Sequence, residues 1–267
     1  MGRKKRTFGV EIECGKGADK FSKFARANSF ACVIDQSLIY DDSREFRSKI
    51  FRYKKDFENI KTLLSTLEAA NVGYDFDTAI HVHVGASDYT KLDIADLGMM
   101  GVYWDAVMWT FAAEHRYDWY NKIFKVPQPK ALISEYADKK LSKLSTISCI
   151  TDCDRGFGLN IYAWNKARKT IEFRYFDTHY DYDLLEAQIE LCRNIIDYTK
   201  RHGAMRPLPS LGVKFSGKAK GKDADKIRAW FLRNIGLQPE HAKTLRNYAR
   251  NRTIVFHDPF EFCHDNY

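Results

Sequence analysis

The chain has 267 residues, 45% of them hydrophobic and 14% aromatic, which is enough for a sizeable core and excludes a disordered or low-complexity polypeptide. Lys and Arg number 43 against 35 Asp and Glu, and the net charge of +8 suits either an anionic partner or a solvated basic surface. Glu11 and Glu13 follow the basic Gly2–Arg6 stretch with no apolar segment between, and the most apolar run, Leu97 to Ala113, is too short to span a bilayer and carries Asp105, so neither a secretion signal nor a membrane span is expected.

In chain order, Thr7 to Glu13 alternates Phe8, Val10 and Ile12 with Gly9, Glu11 and Glu13, the period of a half-buried strand. Phe30 to Asp35 and Glu45 to Phe51 are predicted as further strands. Asp56 to Asn71 places Phe57, Ile60, Leu63, Leu64 and Leu67 at helical spacing and stops before Gly73. Ile80 to Val84 alternates again, and Asp93 to His115 reads as a largely buried helix. Gly158 to Trp164 and Thr170 to Phe176 are predicted strands. A helix is predicted from Asp183, with Glu186 as a capping-box-like partner, to Gly203.

Lys214 to Lys222 reads as a mobile, lysine-rich surface loop, followed by helices at Asp225–Ile235 and Pro239–Arg250. Five of the eight net positive charges lie from residue 214 onward, which marks either a solvated appendage or a docking surface for an anionic substrate. Strands interrupted by single long helices predict an α+β fold, one sheet with helices on its apolar face. Cysteines at 14, 32, 149, 153, 192 and 263 form no disulfide framework, and the Cys149–Cys153 pair has no second pair at zinc-ligand spacing, so reduced thiols in the cytoplasm are the expectation.

The polar faces of the predicted strands carry Glu11 and Glu13, His81 and His83, Asn160, and Glu172 and Arg174. Period-two alternation sets the members of each pair about 6.5 Å apart on one side of the strand. Paired carboxylates on one face repel unless a cation lies between them, and glutamate oxygens with an imidazole suit Mg²⁺ or Mn²⁺. A guanidinium two residues from Glu172 offers a fork for a phosphoryl or carboxylate group. Each motif alone is commonplace: E-x-E as a solvent-facing pair, E-x-R as an intra-strand ion pair. Their joint occurrence on three strands points to metal-assisted phosphoryl chemistry.

In this order, FGVEIE at 8–13, IDQSL at 34–38 with EFRS at 45–48, IHVHVG at 80–85, EHR at 114–116, GLNIY at 158–162 and TIEFRYFDT at 170–178 resemble the amidoligase family. That family is a branch of the carboxylate–amine ligase superfamily, with glutamine synthetase and glutamate–cysteine ligase. The likeness covers about residues 7–200. It departs from the family at Thr78-Ala79-Ile80, where a glycine usually precedes H-x-H, and at Ser48-Lys49, where Ser-Pro is usual.

The resemblance implies a glutamine-synthetase-like antiparallel sheet and an ATP-dependent ligase. Such an enzyme forms an amide or isopeptide bond through an acyl phosphate, with Mg²⁺ or Mn²⁺, between a carboxylate and an amine borne on an amino acid, peptide or protein. By motif, Glu11, Glu13, Glu45, His81 and Glu172 correspond to metal ligands. His83, Asn160 and Arg174 correspond to nucleotide contacts, and Arg174 and Arg116 to catalytic or substrate-contacting residues. The implied organisation is a catalytic domain at 1–213 and a basic loop with a helical appendage at 214–267. Two other readings use the same residues: a metal-dependent hydrolase or nuclease with a basic nucleic-acid-binding face, and an inactive binding scaffold of the same fold. No helix-turn-helix, zinc-finger or RNA-binding signature supports the nuclease.

Overall fold

The alternating segments pair into one six-stranded sheet. In the computed structural model, which describes residues 6–74, 78–112, 158–165, 167–206 and 217–256, these strands are β1 (Phe8–Cys14), β2 (Phe30–Val33), β3 (Arg44–Ser48), β4 (Ala79–Gly85), β5 (Leu159–Asn160) and β6 (Thr170–Asp177). Their order is β2-β3-β1-β4-β6-β5, and every neighbouring pair is antiparallel. The register stacks apolar alternates across strands: Val10 opposite Val82, Ile12 opposite Ile80, Val82 opposite Phe173 and Val84 opposite Ile171. All of these are buried in one continuous core. With one face so committed, a one-residue slip would turn the whole apolar set outward, so the pattern fixes the register and with it the polar face.

Helices seal the apolar face, giving the expected α+β architecture. These are the short α1 (Ser22–Ala27), α2 (Lys54–Ala69), α3 (Lys91–Trp109) and α4 (Tyr182–His202). α3 is buried almost all round, and its Asp105 accepts hydrogen bonds from Tyr175 Oη of β6 at 2.7 Å and from Trp109 Nε1 at 3.0 Å. Among the described residues, no helix is long and apolar enough to cross a membrane.

The helices begin earlier than the acids in the sequence suggest. Asp56 accepts from the backbone N–H of Tyr53 at 2.7 Å, and Asp93 from that of Thr90 at 2.6 Å. Each aspartate is thus the third residue of its helix, reaching back to the cap. α4 is capped by Asp181, whose carboxylate accepts from Leu184 N at 3.0 Å, so Asp183 lies inside the first turn and is not the cap. α3 ends at Trp109 and a turn follows at Thr110; residues 113–115 lie outside the described residues.

Three strands are shorter than predicted, each for a local reason. Asp35 accepts from Ser37 N at 2.8 Å, a side-chain turn that ends β2. β5 stops at Asn160, whose side chain accepts from Tyr162 N at 3.0 Å, and a 3-10 turn at Tyr162–Asn165 replaces the rest. Beyond β3, Phe51 makes only an isolated bridge with Phe8. Gly158, just before β5, lies against the rings of Tyr175 and Trp109. A Cβ there would come within 2.5 Å of Tyr175, so no larger residue lets β5 close on β6.

The lysine-rich segment differs from expectation over its described part. Gly217–Ala219 forms β7, paired antiparallel with β8 (Ile254–Phe256). Between them run α5 (Gly221–Asn234) and α6 (Pro239–Tyr248), and α6 packs on α4. Phe231 of α5 is fully buried and stacked on Trp104 of α3, with ring centroids 4.9 Å apart. Buried Arg228 donates to Thr110 Oγ1 at 3.0 Å and also bonds the Arg252 carbonyl. Phe231→Ala is therefore expected to lower the stability of the whole chain by about 3–5 kcal/mol in a single cooperative transition. Urea denaturation followed at the Trp104 side would check it; a separate early transition of α5 and α6 would contradict it.

Candidate functional site

The polar alternates of five strands meet in rows across the sheet. Arg47, Glu11 and His81 lie opposite one another on β3, β1 and β4. In the next row come Gly9, His83, Glu172 and Asn160 on β1, β4, β6 and β5. Glu13 faces Glu45 across β1 and β3. A bulge in β6, between the pairs Ile80–Phe176 and Val82–Phe173, sets two residues, Arg174 and Tyr175, against His81 alone. It lets Arg174 stay on the polar side while Tyr175 and Phe176 are both buried.

The side chains converge. His83 Nε2 lies 3.4 Å from Glu11 Oε2 and 4.0 Å from Glu172 Oε1. His81 Nδ1 lies 3.4 Å from Glu11 Oε2 and 3.5 Å from Glu172 Oε1, and its Nε2 is 3.8 Å from Glu13 Oε1. Arg174 Nη1 donates to Glu172 Oε1 at 2.6 Å, and Asn160 Nδ2 to Glu172 Oε2 at 2.6 Å. Glu45 is drawn aside by Arg47, which donates to it from Nε at 2.8 Å. Arg116 lies outside the described residues. Of the expected metal ligands, Glu11 and Glu172, together with His83, which was expected as a nucleotide contact, each offer an atom within 4.8 Å of the others'. His81 and Glu13 flank this trio, and Glu45 is one row away in the grip of Arg47.

Electrostatics separate these groups. Burial opposes ionisation of Glu11, yet contact with His81 and His83 holds its carboxyl well below the usual range. Burial pulls His83 down, but Glu11 and Glu172 outweigh it and leave its imidazole raised. Fully buried His81, with the Arg174 charge nearby, is lowered and favours the neutral form. His83 Nε2 is buried without a hydrogen bond, since a 3.4 Å approach to Glu11 is a charge contact and too poor in geometry to satisfy the nitrogen. An orphaned imidazole nitrogen facing two glutamates is a donor set that fits a divalent cation.

Beside the cluster opens a cleft of about 390 Å³ at the end of the sheet where β1 begins and β3 ends. His83 and Glu11 form part of its wall, and Arg47, Lys49, Arg168 and Lys169 its basic rim. Gly9 creates the space: neighbouring positions on this face carry long side chains, whereas Gly9 leaves the sheet surface bare beside His83. The basic rim could not be read from motif spacing. Arg168 and Lys169 stand in the turn before β6 and Lys49 just past β3, so only the folded register brings them together.

Burial, reinforced by the Glu11 charge and opposed by Arg47, pushes the Glu45 carboxyl up to about 7. Its unfolded value is about 4.3, so folded Glu45 retains a proton that the unfolded chain loses, and stability falls as pH rises through that window. In chelator, Glu45→Gln should therefore gain on the parent protein between pH 5 and pH 7.5, by the order of 1–3 kcal/mol, and show little difference below pH 4. Urea titrations at each pH measure this, and a difference independent of pH would contradict it.

Residues 42–196, more than half of the chain, match the family model described as "Putative amidoligase enzyme". The match includes β3, β4 and β6 but not β1, so the placing of Glu11 and Glu13 in the cluster stands on geometry alone. No curated protein matches the chain.

Proposed function

Since the chain belongs to the amidoligase family, we propose that it is an ATP-dependent carboxylate–amine ligase working on the polar face of its sheet. The observation that carries this reading is the convergence of Glu11, His83 and Glu172 from three strands, with Arg174 bonded to Glu172, beside a basic-rimmed cleft. Such a site collects what phosphoryl transfer requires: carboxylates for cations, a guanidinium, and a cationic recess for phosphates.

In this reading the substrate carboxylate oxygen takes the γ-phosphoryl group of ATP, giving an acyl phosphate and ADP. The amine nitrogen then attacks the acyl carbon and inorganic phosphate leaves, so an amide forms and a proton is released. Glu11, His83 and Glu172 hold a divalent ion, and Glu13, His81 and Glu45 serve any further ion. Mg²⁺ or Mn²⁺ bound there supplies charge neutralisation for the phosphates. Arg47, Lys49, Arg168 and Lys169 draw the phosphate chain into the cleft. Arg174 is held by one donor on Glu172, which leaves the rest of its fork for the moving phosphoryl oxygens. Asn160 fixes the other oxygen of Glu172 and so orients the carboxylate. The carboxylate and amine come from an amino acid, a peptide or a protein, and a cytoplasmic setting suits the ATP supply.

The direct test is incubation with ATP, Mg²⁺ and a panel of acids and amines, read by mass for products equal to acid plus amine less water. Cleavage of a phosphodiester without ATP would favour the hydrolase reading instead. Arg174→Lys is expected to lower turnover roughly 10²–10³-fold with little change in nucleotide affinity, because a lysine keeps charge but loses the fork used in the transition state. Glu172→Gln should instead weaken nucleotide binding, and only when metal is present. Calorimetry with and without chelator separates the two variants, and normal turnover by Arg174→Lys would reduce Arg174 to the ion-pair partner of Glu172.

A further inference from the structure

A second recess, of about 540 Å³, lies between α5 and α6. α6 rests on α4, and α4 in turn lies against β4, so this recess belongs to the helical side of the molecule and not to the polar face of the sheet. Among the described residues its wall carries Lys222, Lys243, Arg246 and Arg250 and a single acid, Asp225. That acid is already engaged: Arg246 donates to its two oxygens from Nε at 3.0 Å and from Nη2 at 2.5 Å. The pair holds the Arg246 guanidinium in a fixed position and leaves Lys222, Lys243 and Arg250 with no carboxylate within ion-pair distance among the described residues. Asn247 and Asn251 add amide donors to the same wall.

The local sequence breaks the usual rules of helix design here. α5 is preceded at its N-cap by Lys220, which offers no side-chain cap, and its first turn carries Lys222 beside Asp223, although the positive end of a helix dipole favours the acid alone. Lys218 on the adjoining strand β7 and Lys220 at the N-cap add charge and are exposed. Three uncompensated cations and two amides around one concavity exceed what a single carboxylate would neutralise. They match a ligand that concentrates several charges and many acceptor oxygens in a small volume, which is the character of phosphate groups.

We propose that the α5–α6 recess is a binding site for a phosphorylated small molecule, separate from the carboxylate cluster on the sheet and independent of the ligase reading. Lys222, Lys243 and Arg250 contact the phosphate oxygens, while Arg246 is a positioning residue whose place Asp225 fixes. The ligand binds without a divalent ion, because the recess supplies the positive charge itself.

Calorimetry with inorganic tripolyphosphate in chelator tests this directly. The parent protein is expected to bind it at low ionic strength, with affinity falling as salt is added. The double variant Lys222→Glu/Lys243→Glu should lose at least about tenfold in affinity. Both residues are exposed, so its melting temperature and its metal-dependent nucleotide binding on the sheet should stay unchanged. Asp225→Asn, which removes the one acid among the described residues of the wall, should raise the affinity severalfold, an effect that a merely structural role for the ion pair would not give. No binding by the parent protein, or equal binding by the double variant, would overturn the proposal. So would tighter binding of a polyglutamate peptide or a short single-stranded oligonucleotide that the double variant abolishes, because the occupant would then be an acidic polypeptide or a nucleic acid.

Discussion

Four glutamates, at 11, 13, 45 and 172, stand on one face of a single sheet with side chains no more than 18% exposed. Gathering like charges out of water is unfavourable by several kcal/mol per ion unless opposite charges stand among them. The sheet supplies those charges from its own alternation: His83 between β1 and β6, Arg174 against Glu172, Arg47 against Glu45, with His81 beside them in its neutral form. The apolar alternates of the same strands bury the register beyond slippage, so the carboxylates have no alternative arrangement to relax into. The hydrophobic core thus fixes the electrostatics of the opposite face.

The compensation is incomplete, and where it fails is informative. His83 is pulled toward its charged form by Glu11 and Glu172 yet has no true hydrogen bond from its buried Nε2. Glu45 keeps an arginine and is still driven toward neutrality. A protein selected for stability alone would replace such a set by apolar residues at little loss. The face is also polarised along the strands. Lys49, Arg168 and Lys169 rim the end where β1 begins, whereas Glu13 and Glu45, the latter paired with Arg47, occupy the other end. An anion is attracted from one side and a cation from the other, with the Glu11–His83–Glu172 trio between them. That gradient suits a reaction in which a phosphate chain and an amine, an ammonium before it reacts, must arrive at one carboxylate from different directions.

Much of this was legible in the sequence, for a physical reason: a half-buried strand writes its two faces into alternate letters. Glu11, Glu13, His81, His83, Asn160, Glu172 and Arg174 were readable as one face because Val10, Ile12, Val82, Val84, Ile171 and Phe173 declared the other. Helix starts were read late because Asp56 and Asp93 signal the third residue of a capping box, and Asp183 only the first turn of a helix capped by Asp181. The bulge at Arg174–Tyr175 had no sequence signal, since two consecutive aromatic residues at 175 and 176 look like an ordinary buried run. The basic rim was invisible for another reason. Its residues come from the ends of different strands, and proximity across a sheet depends on register and strand order, which spacing along the chain does not encode.

The end of the chain shows how composition can mislead about position. Its lysines suggest a solvated segment, yet Ile227, Phe231, Leu232, Leu245 and Ile254 are buried in the same core as the sheet. The segment divides most of its residues by chemistry: apolar side chains inward onto α3 and α4, and Lys222, Lys243, Arg246 and Arg250 around the α5–α6 recess, while Arg228 is buried against Thr110. α4 stands between that recess and β4, and a helix with its side chains is about 10–12 Å across. Among the described residues, the ion pairs of Glu11 and Glu172 are with Arg47, Arg174, His81 and His83, and none is with a cation of the recess. Five of the eight net positive charges lie from residue 214 onward, and the chemistry of the sheet face is set by the local balance among its own glutamates, histidines and arginines.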